Sequence, residues 1–283
     1  MKLKIKPLNL KLTMNSGQPA NFIFCFNEKE NRFERIFENK LIWVKQEAKT
    51  NEKKKNKLNE NCLIETNDVK YFKEFFRAKD DYKKIYKHIS TDAFMKKAVK
   101  DYSGLRLTKN DLWESIVCFT LSSNNSIGNI RNATQNLMKK YGEEINGLYS
   151  FPSIEAIAQA KTCDLRKCKT GFRDKYLKEA AQKLIQDKPN FKKMNLNQVI
   201  DYFVSFKGIG LKIANCIALF GFGFENAFPV DVWVKRGMQA NYFKNEETNN
   251  ELIEMKAFNL WQPFQGIAQQ YLFYEFMKNK RKK

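Results

Sequence analysis

The sequence holds a single histidine, His88, and no Cys-x-x-Cys pair. A structural zinc site needs about four nitrogen or sulfur ligands at close spacing, so neither zinc nor an iron–sulfur cluster is expected. No cofactor is implied. His88 lies in an Ile/Tyr-rich helical stretch and reads as packed or surface rather than catalytic. No run of about 18 apolar residues occurs, which argues against a membrane-spanning helix. The opening MKLKIKPLNLKLTM alternates charged and apolar residues. It lacks the continuous apolar core of a signal peptide and reads as mature protein. Without secretion, Cys25, Cys62, Cys118, Cys163, Cys168 and Cys216 are expected as free thiols.

What the chain does have is positive charge. Lys and Arg number 51 against 31 Asp and Glu, a formal charge of +20. That balance favours a polyanionic partner, and nucleic acid is the commonest. A Lys/Asn-rich codon bias gives the same balance, so charge alone does not decide. Hydrophobic residues make up 43% of 283, enough for two domains or one composite domain.

Residues 1–66 read as strands. Leu8, Leu10 and Leu12 alternate with polar residues, and Phe22, Phe24 and Phe26 alternate with Ile23 and Cys25. Phe33 and Ile36 lead to a hairpin at Asn39 and then to Leu41–Val44, with a further strand at Cys62–Ile64. The Lys-rich stretch 45–61 reads as an exposed loop. From Asn67 the pattern turns helical. Leu112 to Leu121 reads as a buried helix, and Ser122–Ser126 interrupts it with five small polar residues. Ile127, Ile130, Ala133 and Leu137 mark a helix ending near Gly142. Ser153 is an expected N-cap. More helices are expected over 174–187, 196–206, 211–222 and 263–279, with 278–283 frayed.

The most informative stretch runs from Phe206 to Arg236. Gly208 and Gly210 separate two helix-like runs and permit a tight turn with positive φ and close backbone approach. The second run starts at Leu211, so its free amides and positive end face out of the turn, where a phosphate fits. Lys212 stands in its first turn. A surface lysine is the plain reading, but a neutral amine there is a nucleophile able to form a Schiff base with a sugar carbon. Asp231 follows Pro229-Val230 and suits an N-cap. Capping and catalysis can coexist, because a cap fixes the carboxylate. A non-catalytic hairpin module that binds DNA needs the glycines but neither Lys212 nor Asp231.

These residues resemble the helix-hairpin-helix DNA glycosylase superfamily. Within it the chain is similar to the eukaryotic-type 8-oxoguanine DNA glycosylase/AP lyase family over about residues 8 to 277. The resemblance implies an α+β fold. A twisted antiparallel sheet domain spans 1–99, a helical module with the insertion loop and first hairpin helix spans 100–210, and a catalytic helical module spans 211–283. It implies Lys212 as nucleophile at the deoxyribose C1′ and Asp231 as its orienting carboxylate. It implies phosphate binding at Gly208 and Gly210. The 122–126 segment resembles the family's minor-groove insertion loop, with Asn124 filling the gap and Asn125 supporting it. Gln269 is then the reader of the flipped purine's Watson–Crick edge, with Phe273 and Cys216 on its two faces. The carbonyl of Gly17, in Asn15-Ser16-Gly17-Gln18, accepts from N7–H, which 8-oxoguanine has and guanine lacks. Taken singly, Gly17 is an ordinary turn glycine, and Phe273 and Cys216 are ordinary core residues.

The sequence departs from the family in three places. Asn129 replaces an arginine that contacts the orphaned cytosine. Phe172 stands where the family often has tyrosine, followed by the second opposite-base residue, Arg173. Trp233 replaces a family histidine. The resemblance implies duplex DNA containing oxidised guanine as partner, a monomer and no membrane, and the departure at Asn129 implies a relaxed opposite-base preference. Lys/Asn richness and compact length suit a prokaryote, and a cytoplasmic, nucleoid-associated place follows by default.

Overall fold

The computed structural model describes residues 1–47 and 62–280. Most of the Lys-rich loop and the last residues of the basic tail lie outside them. Five strands form one antiparallel sheet in the order β1-β5-β4-β3-β2: β1 (Lys2–Ile5), β2 (Cys25–Asn27), β3 (Arg32–Phe37), β4 (Lys40–Gln46) and β5 (Cys62–Thr66). Glu38 (φ 47°) and Asn39 (φ 58°) are both left-handed, the requirement for a two-residue hairpin turn. That turn sets the β3–β4 register, pairing Phe37 with Lys40. Leu3, Ile5, Phe33, Ile42, Val44 and Ile64 then pack against Phe72, Phe75 and Phe76 of α3 (Val69–Phe75) and its C-cap.

Two stretches read as strands are short helices instead, α1 (Leu10–Met14) and α2 (Ala20–Ile23). Asn9 caps α1, its side chain accepting from Leu12 N at 3.1 Å. Leu10, Thr13 and Met14 are buried at helical spacing. The period-2 pattern of Leu8, Leu10 and Leu12 is short enough to fit both structures, and the cap decides between them.

The remainder is helical apart from a small hairpin, β6 (Glu144–Ile145) and β7 (Leu148–Tyr149). The helices are α4 (Tyr82–Ile89), α5 (Ala93–Asp101), α6 (Leu112–Leu121), α7 (Ile127–Tyr141), α8 (Ile154–Gln159), α9 (Thr162–Leu165), α10 (Asp174–Asp187), α11 (Leu196–Val204), α12 (Leu211–Ile217), α13 (Val232–Tyr242), α14 (Asn250–Trp261) and α15 (Gln265–Lys280). Local chemistry sets many of the starts. Asp111, Ser126, Ser153, Asn195, Asp231 and Asn249 each accept a backbone amide at an N-cap.

Two apolar cores meet at α6, which is buried on nearly every side. Its Val117, Cys118 and Leu121 pack with Ile130 and Leu137 of α7 and Leu177 of α10. Its Ile116 and Phe119 belong to the other core, which gathers α11 to α15. Helices α4 and α5 also pack into that second core rather than against the sheet, through Tyr82, Ile85, Met95 and Val99. The sheet is tied to α6 by a buried ion pair. Arg35 on β3 donates to Glu114 Oε2 at 2.9 Å, and a second bond reaches Oε1. Among the described residues, no helix is long and apolar enough to cross a membrane.

Candidate active site

The hairpin comes first, because it aims the lysine. Gly208 has φ +79°, and a Cβ there would lie 2.3 Å from the Tyr176 ring. Both facts require glycine. Gly210 differs from the sequence expectation: its φ is −93° and ψ −179°, an ordinary extended N-cap. Nothing lies within 4 Å of its Cβ position. Glycine therefore relieves no strain here but leaves room for another molecule's backbone to approach. Lys212 follows in the first turn of α12. Its Nζ donates to Ser122 Oγ at 3.0 Å.

Asp231 caps α13. Its Oδ1 accepts from Trp233 N at 2.9 Å and Val234 N at 2.8 Å, so the cap does not use the other oxygen. Burial pushes this carboxyl above the usual aspartate range, opposed by the Val234 amide, the Lys212 charge and the Trp233 amide. Cys216 sits one turn beyond Lys212 on the same face. Burial pushes its thiol up to about 12, only partly offset by Lys212. It is a neutral, polarizable surface and not a second nucleophile.

The opposite wall comes from both ends of the chain. Gly17 has φ +81°, and a Cβ on it would meet the Phe273 ring at 3.0 Å. The loop around Gly17 is tied down without slack. Gln18 Nε2 donates to Arg106 O at 2.8 Å and Ser16 Oγ at 2.9 Å, while its Oε1 accepts from Thr108 N at 2.8 Å. Gln270 on α15 donates to Ser16 O at 3.0 Å. The adjacent Gln269 is buried at 5% exposure, and among the described residues its Oε1 has no hydrogen-bond partner. Such an atom costs free energy until something donates to it.

Together Gly17, Lys212, Cys216, Asp231, Gln269 and Phe273 line one cavity of about 100 Å³, with Ser122, Asn125 and Trp233 also in its lining. An amine, a carboxylate, two apolar faces and one unpaired amide oxygen therefore share a single space. That set suits a flat heteroaromatic ring attached to an electrophilic carbon.

Beside the cavity runs the 122–126 loop. Asn124 is exposed with φ 46°. Asn125 Nδ2 donates to Leu121 O at 3.0 Å, and its Oδ1 accepts from Ser126 N at 3.0 Å. Phe172 is 53% exposed. Arg173 is buried and its guanidinium is spent on backbone. It donates to Ser123 O at 2.8 Å, Asn124 O at 3.0 Å and Thr170 O at 3.2 Å. It also lies 4.3 Å from the Phe172 ring centre. Arg173 thus clasps the loop to the exposed aromatic. Asn129 is exposed on α7.

Residues 1–116 match the family described as 8-oxoguanine DNA glycosylase, N-terminal domain, and residues 117–263 match the HhH-GPD superfamily base excision DNA repair proteins. The chain belongs to the 8-oxoguanine DNA glycosylase family of that superfamily. It is 28% identical over 244 residues to the N-glycosylase/DNA lyase of Saccharomyces cerevisiae, covering 71% of this chain. The match spans less than two thirds of that protein's length, 64%. Among solved structures it is similar to the 8-oxoguanine glycosylase/lyase of Clostridium acetobutylicum, in complex with duplex DNA containing cytosine opposite 8-oxoguanine. That TM-score is 0.84 at 28% identity, covering 99% of this chain and 98% of the other. It is also similar to MBOgg1 in complex with a low-affinity DNA ligand, with TM-score 0.85, 29% identity, and 99% and 96% coverage.

Within this glycosylase family the departures have definite positions. Trp233 lines the cavity along with Asp231, with the Arg236 guanidinium 5.4 Å from its ring centre. Sequence reasoning did not single out Ser122, Gln18 or Gln270 as site residues. Their partners are distant side chains and backbone carbonyls, which leave no local pattern to read.

Proposed function

We propose that this protein is a bifunctional DNA glycosylase/AP lyase that extrudes 8-oxoguanine from duplex DNA and cuts the strand at the resulting site. One observation carries the reading: an amine, a carboxylate, a thiol, an aromatic ring and an unpaired amide oxygen, drawn from residues 17 to 273, converge on one cavity. Lys212 Nζ attacks C1′ as the free amine while the C1′–N9 bond breaks, and the proton that the amine gives up on bonding leaves with the base. Asp231 stabilises the positive charge developing on the sugar. Opening of the sugar ring yields the lysine Schiff base. Loss of a C2′ proton then expels the 3′ phosphate by β-elimination.

Recognition uses the same walls. Phe273 and Cys216 sandwich the base, and Gln269 pairs with its Watson–Crick edge, which supplies the missing donor to Oε1. The Gly17 carbonyl accepts the N7 proton of the oxidised base. Guanine would leave two acceptors facing one another, which is costly in a buried site. Asn124 and Phe172 enter the duplex as the base leaves, with Asn125 supporting the loop, and Arg173, committed to the Ser123, Asn124 and Thr170 carbonyls, acts on the orphaned base only by holding that loop. The hairpin of Gly208 and Gly210, open on its Gly210 side, holds a phosphate. The enzyme acts as a monomer at the nucleoid of a prokaryotic cell, with relaxed opposite-base preference because Asn129 stands where an arginine would.

The test is incubation with duplexes containing 8-oxoguanine opposite each base, with and without borohydride. The expected result is strand cleavage and a covalent adduct, both lost in Lys212→Gln. Cleavage without an adduct sinks the Schiff-base mechanism, and neither product sinks the activity.

A further inference from the structure

We infer that Ser122 is a positioning residue for the catalytic amine, an inference that rests on Lys212 being the nucleophile. The Ser122 hydroxyl lies between two partners. Its Oγ donates to Phe119 O at 2.7 Å and receives Lys212 Nζ at 3.0 Å. A serine hydroxyl has one hydrogen and two lone pairs. Because that hydrogen is committed to the Phe119 carbonyl, the hydroxyl faces Lys212 as an acceptor only. One N–H of the amine is thereby fixed in direction. The nitrogen's attacking lone pair is then confined to directions away from Ser122.

A lysine side chain without such an anchor samples many rotamers, and each wrong one is lost reactivity. Ser122 is well suited to be the anchor because its own backbone is held. It is the C-cap of α6, whose residues are almost all buried. Its neighbours Ser123 and Asn124 offer their carbonyls to Arg173. The amine is therefore referenced to the segment that enters the duplex. The bond at Phe119 O alone would be an ordinary helix-end contact. The second bond, to Lys212 ninety residues away in sequence, is the one that a helix end does not need.

The experiment measures single-turnover excision and borohydride trapping on an 8-oxoguanine·cytosine duplex, with duplex affinity measured separately by anisotropy. Ser122→Ala is expected to slow both chemical readouts about tenfold with affinity changed less than about twofold, the signature of a residue that orients the amine rather than holding the duplex. Ser122→Thr keeps the hydroxyl and is expected to recover most of the rate. The inference is overturned if the alanine variant reacts at the wild-type rate, if affinity falls in parallel with rate, or if threonine fails as badly as alanine. Failure of the wild-type protein to form any adduct instead overturns the nucleophile assignment, and the role of Ser122 with it.

Discussion

Gly17 carries two constraints at once, a left-handed backbone and a ring in contact with the space where a side chain would be. Gly17→Ala must strain φ and press on the Phe273 ring that shares the cavity wall. The expected outcome is at least about a tenfold loss of 8-oxoguanine excision, with an unfolding cost of about 1–3 kcal/mol, read by single-turnover assay and urea titration. Asp231 supports a pH prediction. Its folded-state pKa is raised by burial, so the folded state prefers the protonated carboxyl more than the unfolded chain does. The carboxyl's favourable contribution is present below the ordinary aspartate pKa and is lost as pH rises through the raised one. Asp231→Asn keeps a capping side chain without the buried charge. Its Tm is expected to exceed wild type at pH 7, the gap closing as pH falls to the ordinary aspartate range, while excision collapses. A variant no more stable than wild type at pH 7 would refute this account. Asn129→Arg is expected to sharpen the ratio of cleavage opposite cytosine to cleavage opposite other bases. Unchanged ratios remove Asn129 from the account of selectivity.

At the scale of elements, the hairpin shows where a sequence is legible. Gly208, Lys212, Pro229 and Asp231 each leave a local signature, a turn glycine or a cap, and the α11–α12 corner and the start of α13 follow from those. The segment before Ala20 shows the opposite. Leu8, Leu10 and Leu12 fit a strand, and only the Asn9 cap and burial against distant residues select a helix. Gly210 permits a positive φ, yet its backbone is extended. Permission does not specify conformation. Gln18, Ser122 and Gln270 were invisible as site residues because their partners lie far along the chain. Gly208→Ala tests the hairpin as an element. Contact with the Tyr176 ring and a φ of +79° predict about 1–3 kcal/mol of destabilisation. Duplex affinity should fall as well, checked by urea unfolding and anisotropy.

Across the whole molecule, the Arg35–Glu114 pair joins the sheet to α6 in a site where the two side chains are only 2% and 6% exposed. Removing one partner strands a buried charge. Glu114→Ala is therefore expected to cost about 3–5 kcal/mol, whereas replacing both residues by apolar ones of similar volume should cost much less. Calorimetry of the single and double variants separates these outcomes. The +20 charge predicts a non-specific duplex affinity that falls at least about tenfold between 50 and 200 mM salt. A flat salt response would remove the phosphate backbone as the source of affinity.

The bond from Gln270 to the Ser16 carbonyl spans 254 positions, and it gives chain length a meaning of its own. A chain interrupted soon after Asp231 holds the hairpin, the amine and the carboxylate but none of the wall supplied by α15. It has the blade without the gauge. On the proposed reading, discrimination between a damaged and an intact base requires α15 to be docked on the loop around Gly17. The wall that faces the amine is thus assembled by a contact between distant parts of the chain, and neither part supplies it alone.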